Sequence, residues 1–210
     1  MKRSFFVVTI SLLLASCASI VPQNDNGQID MTPAAISQLG DAKYWIVVRP
    51  ITYVEHRTGK TIVVPKGFVT DLASVPRQLW SLLSPIDSYM TAAILHDYLY
   101  WDQRCGQDEA DIILNVAMKS YGVSSDKRHA IFDGVHLAGK HSYENNTQLK
   151  QRGESRFLSD EYVERLLKQY IDHTITWERV KKNAAENQGL IPDTSNEHIK
   201  EACAAASNMD

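Results

Sequence analysis

Hydrophobic positions along this chain change period several times, and each change marks a different kind of element. Residues 5–15 are almost continuously apolar, interrupted only by Thr9 and Ser11, with Lys2 and Arg3 ahead of them. That run is too short for a comfortable membrane span, which takes about 20 residues, and it fits the h-region of a signal peptide. Residues 19–30 are mostly polar and without period, the pattern of a tether. β-branched and aromatic residues then gather at 44–48, 51–54 and 61–64, which predicts three short strands. Pro50 and Pro65 mark strand ends, and Gly59 supplies a tight turn, so the three read as an antiparallel meander.

Beyond Pro65 the period lengthens to that of helices. Trp80, Leu82 and Leu83 predict a short helix ending near Pro85, and a second is predicted over 89–101. Ala110, Ile113, Leu114, Ala117, Met118 and Tyr121 recur at three- and four-residue spacing, an amphipathic helix over 107–121 that Gly122 ends. Ser124 or Ser125 is a natural N-cap for another helix, running to about Ala138 before Gly139. A longer helix is expected over 160–182, with Tyr162, Leu166, Leu167, Tyr170, Ile171 and Ile175 as its core-facing stripe. No internal repeat is visible. These elements predict an α+β fold, a mainly helical single domain with a small N-terminal antiparallel sheet. Its expected parts are a leader at 1–16, a tether at 17–42, the globular domain at 43–182 and a flexible tail at 183–210.

The 210-residue chain carries a net charge of −3; the leader holds two basic and no acidic residues, so its removal leaves −5. A mildly acidic chain without a dense Lys/Arg block is poorly suited to nucleic acid, so no nucleic-acid partner is expected. Leu14-Ala15-Ser16-Cys17 resembles the lipobox of bacterial lipoproteins. That resemblance implies acylation of Cys17, and Ala18 in place of an aspartate implies delivery to the outer membrane, facing the periplasm. Membrane contact would then run through the lipid, with an envelope lipid or protein as partner. Cys105 and Cys203 remain, either as one disulfide of an oxidising compartment or as two unpaired thiols. Their spacing has no zinc pattern.

Candidate chemistry centres on His96-Asp97, an adjacent polar pair inside the apolar stretch 92–100. An imidazole exchanges protons near neutral pH, and a carboxylate beside it binds a cation or receives a proton. On a helix the two point about 100° apart, so one serves chemistry while the other holds the fold. A satisfied core histidine and an Asp97 paired with Arg77 or Arg104 are the structural alternative. Helices 89–101 and 107–121 are joined by a short link, which implies an antiparallel pair. His96 and Asp111 lie at similar distances from that link, so contact between them is geometrically open. Tyr100 shares the face of His96, four residues on.

In the loop 64–77, Asp71 or Ser74 reads either as a helix cap or, with Arg77, as the lining of a cleft. His129, Asp133 and His136 fall on one helical face, as a metal set or as a solvated polar face.

Three blocks in order, Pro65-Lys66-Gly67-Phe68 running into Thr70-Asp71-Leu72-Ala73-Ser74-Val75-Pro76-Arg77, then Ala92-Ala93 with His96-Asp97 and Tyr100, then Ala110-Asp111 and Ala117-Met118, resemble a phage-associated bacterial family called domain of unknown function 1353. The likeness covers about residues 44–138, and the family name carries no activity. His96-Asp97-Tyr98-Leu99-Tyr100 also resembles the His-Asp-x-x-Tyr helix of secreted phospholipases A2. That likeness implies that His96 activates water, that Asp97 binds calcium, and that Tyr100 and Asp111 orient the histidine. The glycine-rich calcium loop and flanking cysteines of those enzymes have no counterpart here.

Two functions are therefore expected from the sequence. One is a periplasmic hydrolase of lipid or envelope esters, with His96 as general base supported by Asp97, Asp111, Tyr100 and Asp71. The other is a non-catalytic, prophage-related envelope lipoprotein that binds a partner.

Overall fold

A computed structural model describes residues 31–32, 34–55, 58–72, 89–169, 175–192 and 198–206. The expected leader, Cys17, the short helix at 80–83, Ser74 and Arg77 lie outside these residues. The fold is α+β and mainly helical, with small antiparallel sheets near its N-terminal side. Among the described residues five strands, β1 (Ala35–Gln38), β2 (Trp45–Arg49), β3 (Ile51–Val54), β4 (Thr61–Val64) and β5 (Val69–Thr70), precede six helices, α1 (Met90–Asp102), α2 (Gln107–Ser120), α3 (Ser125–Gln151), α4 (Asp160–Gln169), α5 (Trp177–Glu186) and α6 (Ile199–Ala206).

The strands do not form one meander. β3 and β4 make a hairpin of their own, while β2 pairs with β1 on one side and β5 on the other, all antiparallel. Pro50, lacking a backbone donor, separates β2 from β3. Alternation along β2 sends Ile46 into one apolar cluster, with Leu39, Val69, Leu158, Tyr162, Trp177 and Val180, and Val47 into the other, with the hairpin, α1, α2 and α6. The β1-β2-β5 sheet thus separates two cores.

Helix α1 has no polar face, because every residue from Thr91 to Asp102 is buried. It is surrounded by neighbours, and a helix in that position must satisfy its last carbonyls from elsewhere. Asn146 Nδ2 donates to the carbonyl of Tyr100 at 3.1 Å, and Lys150 Nζ to those of Trp101 and Asp102 at 3.0 and 2.9 Å.

Four expectations about boundaries are corrected. The tether ends earlier than residue 42: Met31 is buried and bridges to Tyr53, and β1 pairs with β2. Helix α3 runs through Gly139 to Gln151, because that glycine keeps an ordinary helical backbone and is used for close packing. The expected long helix over 160–182 is two: Ile175 is buried but not helical, and Thr176 caps α5 by accepting from the Arg179 amide at 3.4 Å. Within its stripe Tyr162 and Leu166 are buried while Leu167 is exposed, and Tyr170 and Ile171 lie outside the described residues. The tail is not free: Leu190 bridges to Leu158, and α6 buries Ile199, Ala202 and Cys203 completely. A Cys105–Cys203 disulfide ties α6 to the α1–α2 link, across a sequence separation of 98 residues.

Candidate functional site: a buried carboxylate shared by three helices

Asp111 sits on α2 with no solvent exposure, facing α1 and α3. Its Oδ1 lies 2.7 Å from His96 Nε2 and accepts a 2.7 Å hydrogen bond from the Tyr100 hydroxyl. Its Oδ2 lies 3.1 Å from His136 Nδ1, on α3. An ionised carboxylate only accepts, so each of these bonds requires a proton on the nitrogen or oxygen that faces it. The His96 and Tyr100 rings lie 4.1 Å apart, as the four-residue spacing on α1 dictates. Burial, and then the bond to Asp111, raise the Tyr100 phenol well above its ordinary range, so it stays a donor.

The third helix reaches this carboxylate because of Gly139. An added Cβ there would lie 2.2 Å from the Tyr100 hydroxyl oxygen and 3.1 Å from the ring carbon that bears it. Glycine therefore lets α3 close on Tyr100, which brings His136, one turn earlier, over Asp111. The N-terminal turn of α2 completes the surroundings. Gln107 Nε2 donates to the His136 carbonyl at 3.4 Å, and Asp108 lies 3.9 Å from His136 Nδ1.

His96, Tyr100 and Asp111 are thus brought together, whereas Asp97 and Asp71 meet Thr70 and Arg156. Asp97, one residue along α1, turns toward β5, where Thr70 Oγ1 donates to its carboxylate and accepts from the Leu72 amide at 3.0 Å. Asp71 faces Arg156 at 3.7 Å, and that guanidinium lies over Trp101 at 5.3 Å. Arg104 is engaged by Asp102. Among the described residues no group of three metal-ligating side chains includes Asp97. The one such group, Cys105, Glu109 and Cys203, contains the disulfide.

His129 and Asp133, which the sequence offers with His136 as a metal set or as a solvated polar face, are exposed, and His129 Nδ1 lies 3.4 Å from Ser125 Oγ. His136 falls inside the helix expected to about Ala138, but its spacing points only to His129 and Asp133; the approach of α3 to Asp111 depends on Gly139, which reads as a helix stop. The available signal was the buried series Ile131, Val135 and Gly139, at four-residue spacing, beside which His136 falls.

No curated protein and no solved structure matches the chain. A family pattern matches residues 45–135, from the first residue of β2 to Val135 of α3. Thr70, His96, Asp97, Tyr100 and Asp111 fall inside it, and His136 is the first residue beyond. Through residues 45–135 the chain is similar to the family described as a protein of unknown function, DUF1353.

Proposed function

We propose that this protein is a lipid-anchored hydrolase of the outer membrane, facing the periplasm and cleaving lipid or other envelope esters. The observation that carries this reading is Asp111, a fully buried carboxylate that receives two imidazoles and a phenol. A carboxylate held in this way fixes the tautomer and orientation of a histidine and stabilises the imidazolium formed when the ring takes a proton. Acylation at Cys17 places the domain within reach of envelope lipid. The disulfide suits an oxidising compartment.

The test is release of carboxylic acid from p-nitrophenyl esters and from phospholipid vesicles by the full lipidated chain. Asp111→Asn is expected to lose about 10²- to 10⁴-fold in rate while remaining folded, the span of general acid–base catalysis. A wild type no faster than buffer on every ester would overturn the reading and favour a partner-binding lipoprotein whose polar cluster joins three helices. For the anchor, labelled palmitate should enter the wild type and not Cys17→Ser. Equal labelling of both would contradict it.

A further inference from the structure

We propose that His136, rather than His96, is the general base through which the Asp111 centre meets its substrate; the assignment rests on the hydrolytic reading above. Access separates the two imidazoles. The His96 side chain is 1% exposed and directs Nε2 at Asp111 from inside the core, whereas the His136 side chain is 47% exposed.

Anchoring is the second observation. The bond from His136 to Asp111 Oδ2 uses Nδ1, so the neutral ring carries its proton there and keeps a lone pair on Nε2. Among the described residues nothing hydrogen-bonds that Nε2. Orientation is the third, because Phe132 stacks on the His136 ring with centroids 5.6 Å apart and planes 7° apart. One edge of the imidazole is therefore tied to a buried carboxylate and one face to an aromatic ring.

The oxygens of Asp111 divide the work. His96 and Tyr100 both bond Oδ1, which holds the carboxyl plane so that Oδ2 is presented to α3. In this arrangement His96 and Tyr100 are positioning residues. At Nε2, His136 takes a proton from a water molecule whose oxygen attacks the ester carbonyl carbon. The carbonyl–alkoxy bond then breaks and the imidazolium returns the proton to the departing alkoxide, leaving a carboxylic acid and an alcohol with no change of oxidation state.

The experiment compares wild type, His136→Gln, His136→Ala and His96→Gln as full lipidated chains. The readouts are p-nitrophenyl ester hydrolysis, thermal melting and long-range 1H–15N spectra of the imidazoles. His136→Gln should lose about 10²-fold or more in kcat with little change in KM or melting temperature. Added imidazole should restore part of the rate to His136→Ala, since the vacated site opens to solvent. His96→Gln should lower the melting temperature. In the spectra His136 should be protonated at Nδ1, and Asp111→Asn should remove that preference. Full activity of His136→Gln, or a His136 proton on Nε2, would overturn the assignment. A wild type that hydrolyses no ester would sink the hydrolytic reading instead. The nitrogen spectrum alone then decides whether His136 is held as a solvent-facing base, Nδ1 protonation supporting it and Nε2 protonation refuting it.

Discussion

At Gly139 the Tyr100 hydroxyl oxygen would lie 2.2 Å from any added Cβ, so the smallest substitution there moves a ring that is bonded to Asp111. Gly139→Ala should cost on the order of 1–3 kcal/mol, the usual range for overpacking. Because the nearest obstacle is the hydroxyl, Tyr100→Phe should relieve part of that cost, and urea unfolding of both single variants and the double variant measures the coupling. Strictly additive losses would contradict the contact. Tyr100 also makes a pH prediction. Its phenol is raised in the folded protein by burial and by Asp111, so the folded state keeps a proton that the unfolded chain releases near pH 10. The stability this contributes is complete below the ordinary phenol range and declines as pH rises through and beyond it. Unfolding free energies from about pH 8 to about pH 11 should fall less steeply in Tyr100→Phe than in wild type. At this scale the sequence was informative about His96, Tyr100 and Asp111, because two turns of one helix and a short link constrain them. Asp97 turned away from them for an equally local reason, the angle between adjacent helical positions. Its partner Thr70 lies 27 residues away and no helical spacing points to it.

Among the elements, α3 and α6 differ most from what periodicity alone suggests. A glycine in a helical pattern reads as a stop, yet Gly139 is there for lack of a side chain and not for a left-handed turn. Helix α6 is short and rich in alanine, and its apolar residues carry too little pattern to separate a docked helix from a tail. Its anchor is the bond between Cys203 and Cys105, which closes a long loop. Cys203→Ser should lower stability by about 2–5 kcal/mol, the range for losing a native disulfide in a small domain. Hydrogen exchange should quicken first in α6. Unchanged protection of α6 in the reduced protein would mean that packing alone holds it.

For the whole molecule, the strand segments and the helical stripes were legible, but their assembly was not. Pairing of β2 with β1 and β5 depends on contacts across the chain, and Phe157 and Leu158 bridge to Phe68 and Leu190 from a segment with no strand signal. The result is a sheet between two cores, with a helix buried from Thr91 to Asp102 whose polar side chains point in different directions: His96 and Tyr100 to α2, Asp97 to β5. The central claim is that Asp111 and His136, brought together only by this assembly, work as one unit. The most direct test measures kcat/KM for ester hydrolysis in wild type, Asp111→Asn, His136→Gln and the double variant. Residues acting as a unit lose their effect together, so the double variant should be no slower than the slower single variant. Losses that multiply in the double variant, or single variants as fast as wild type, would contradict the account.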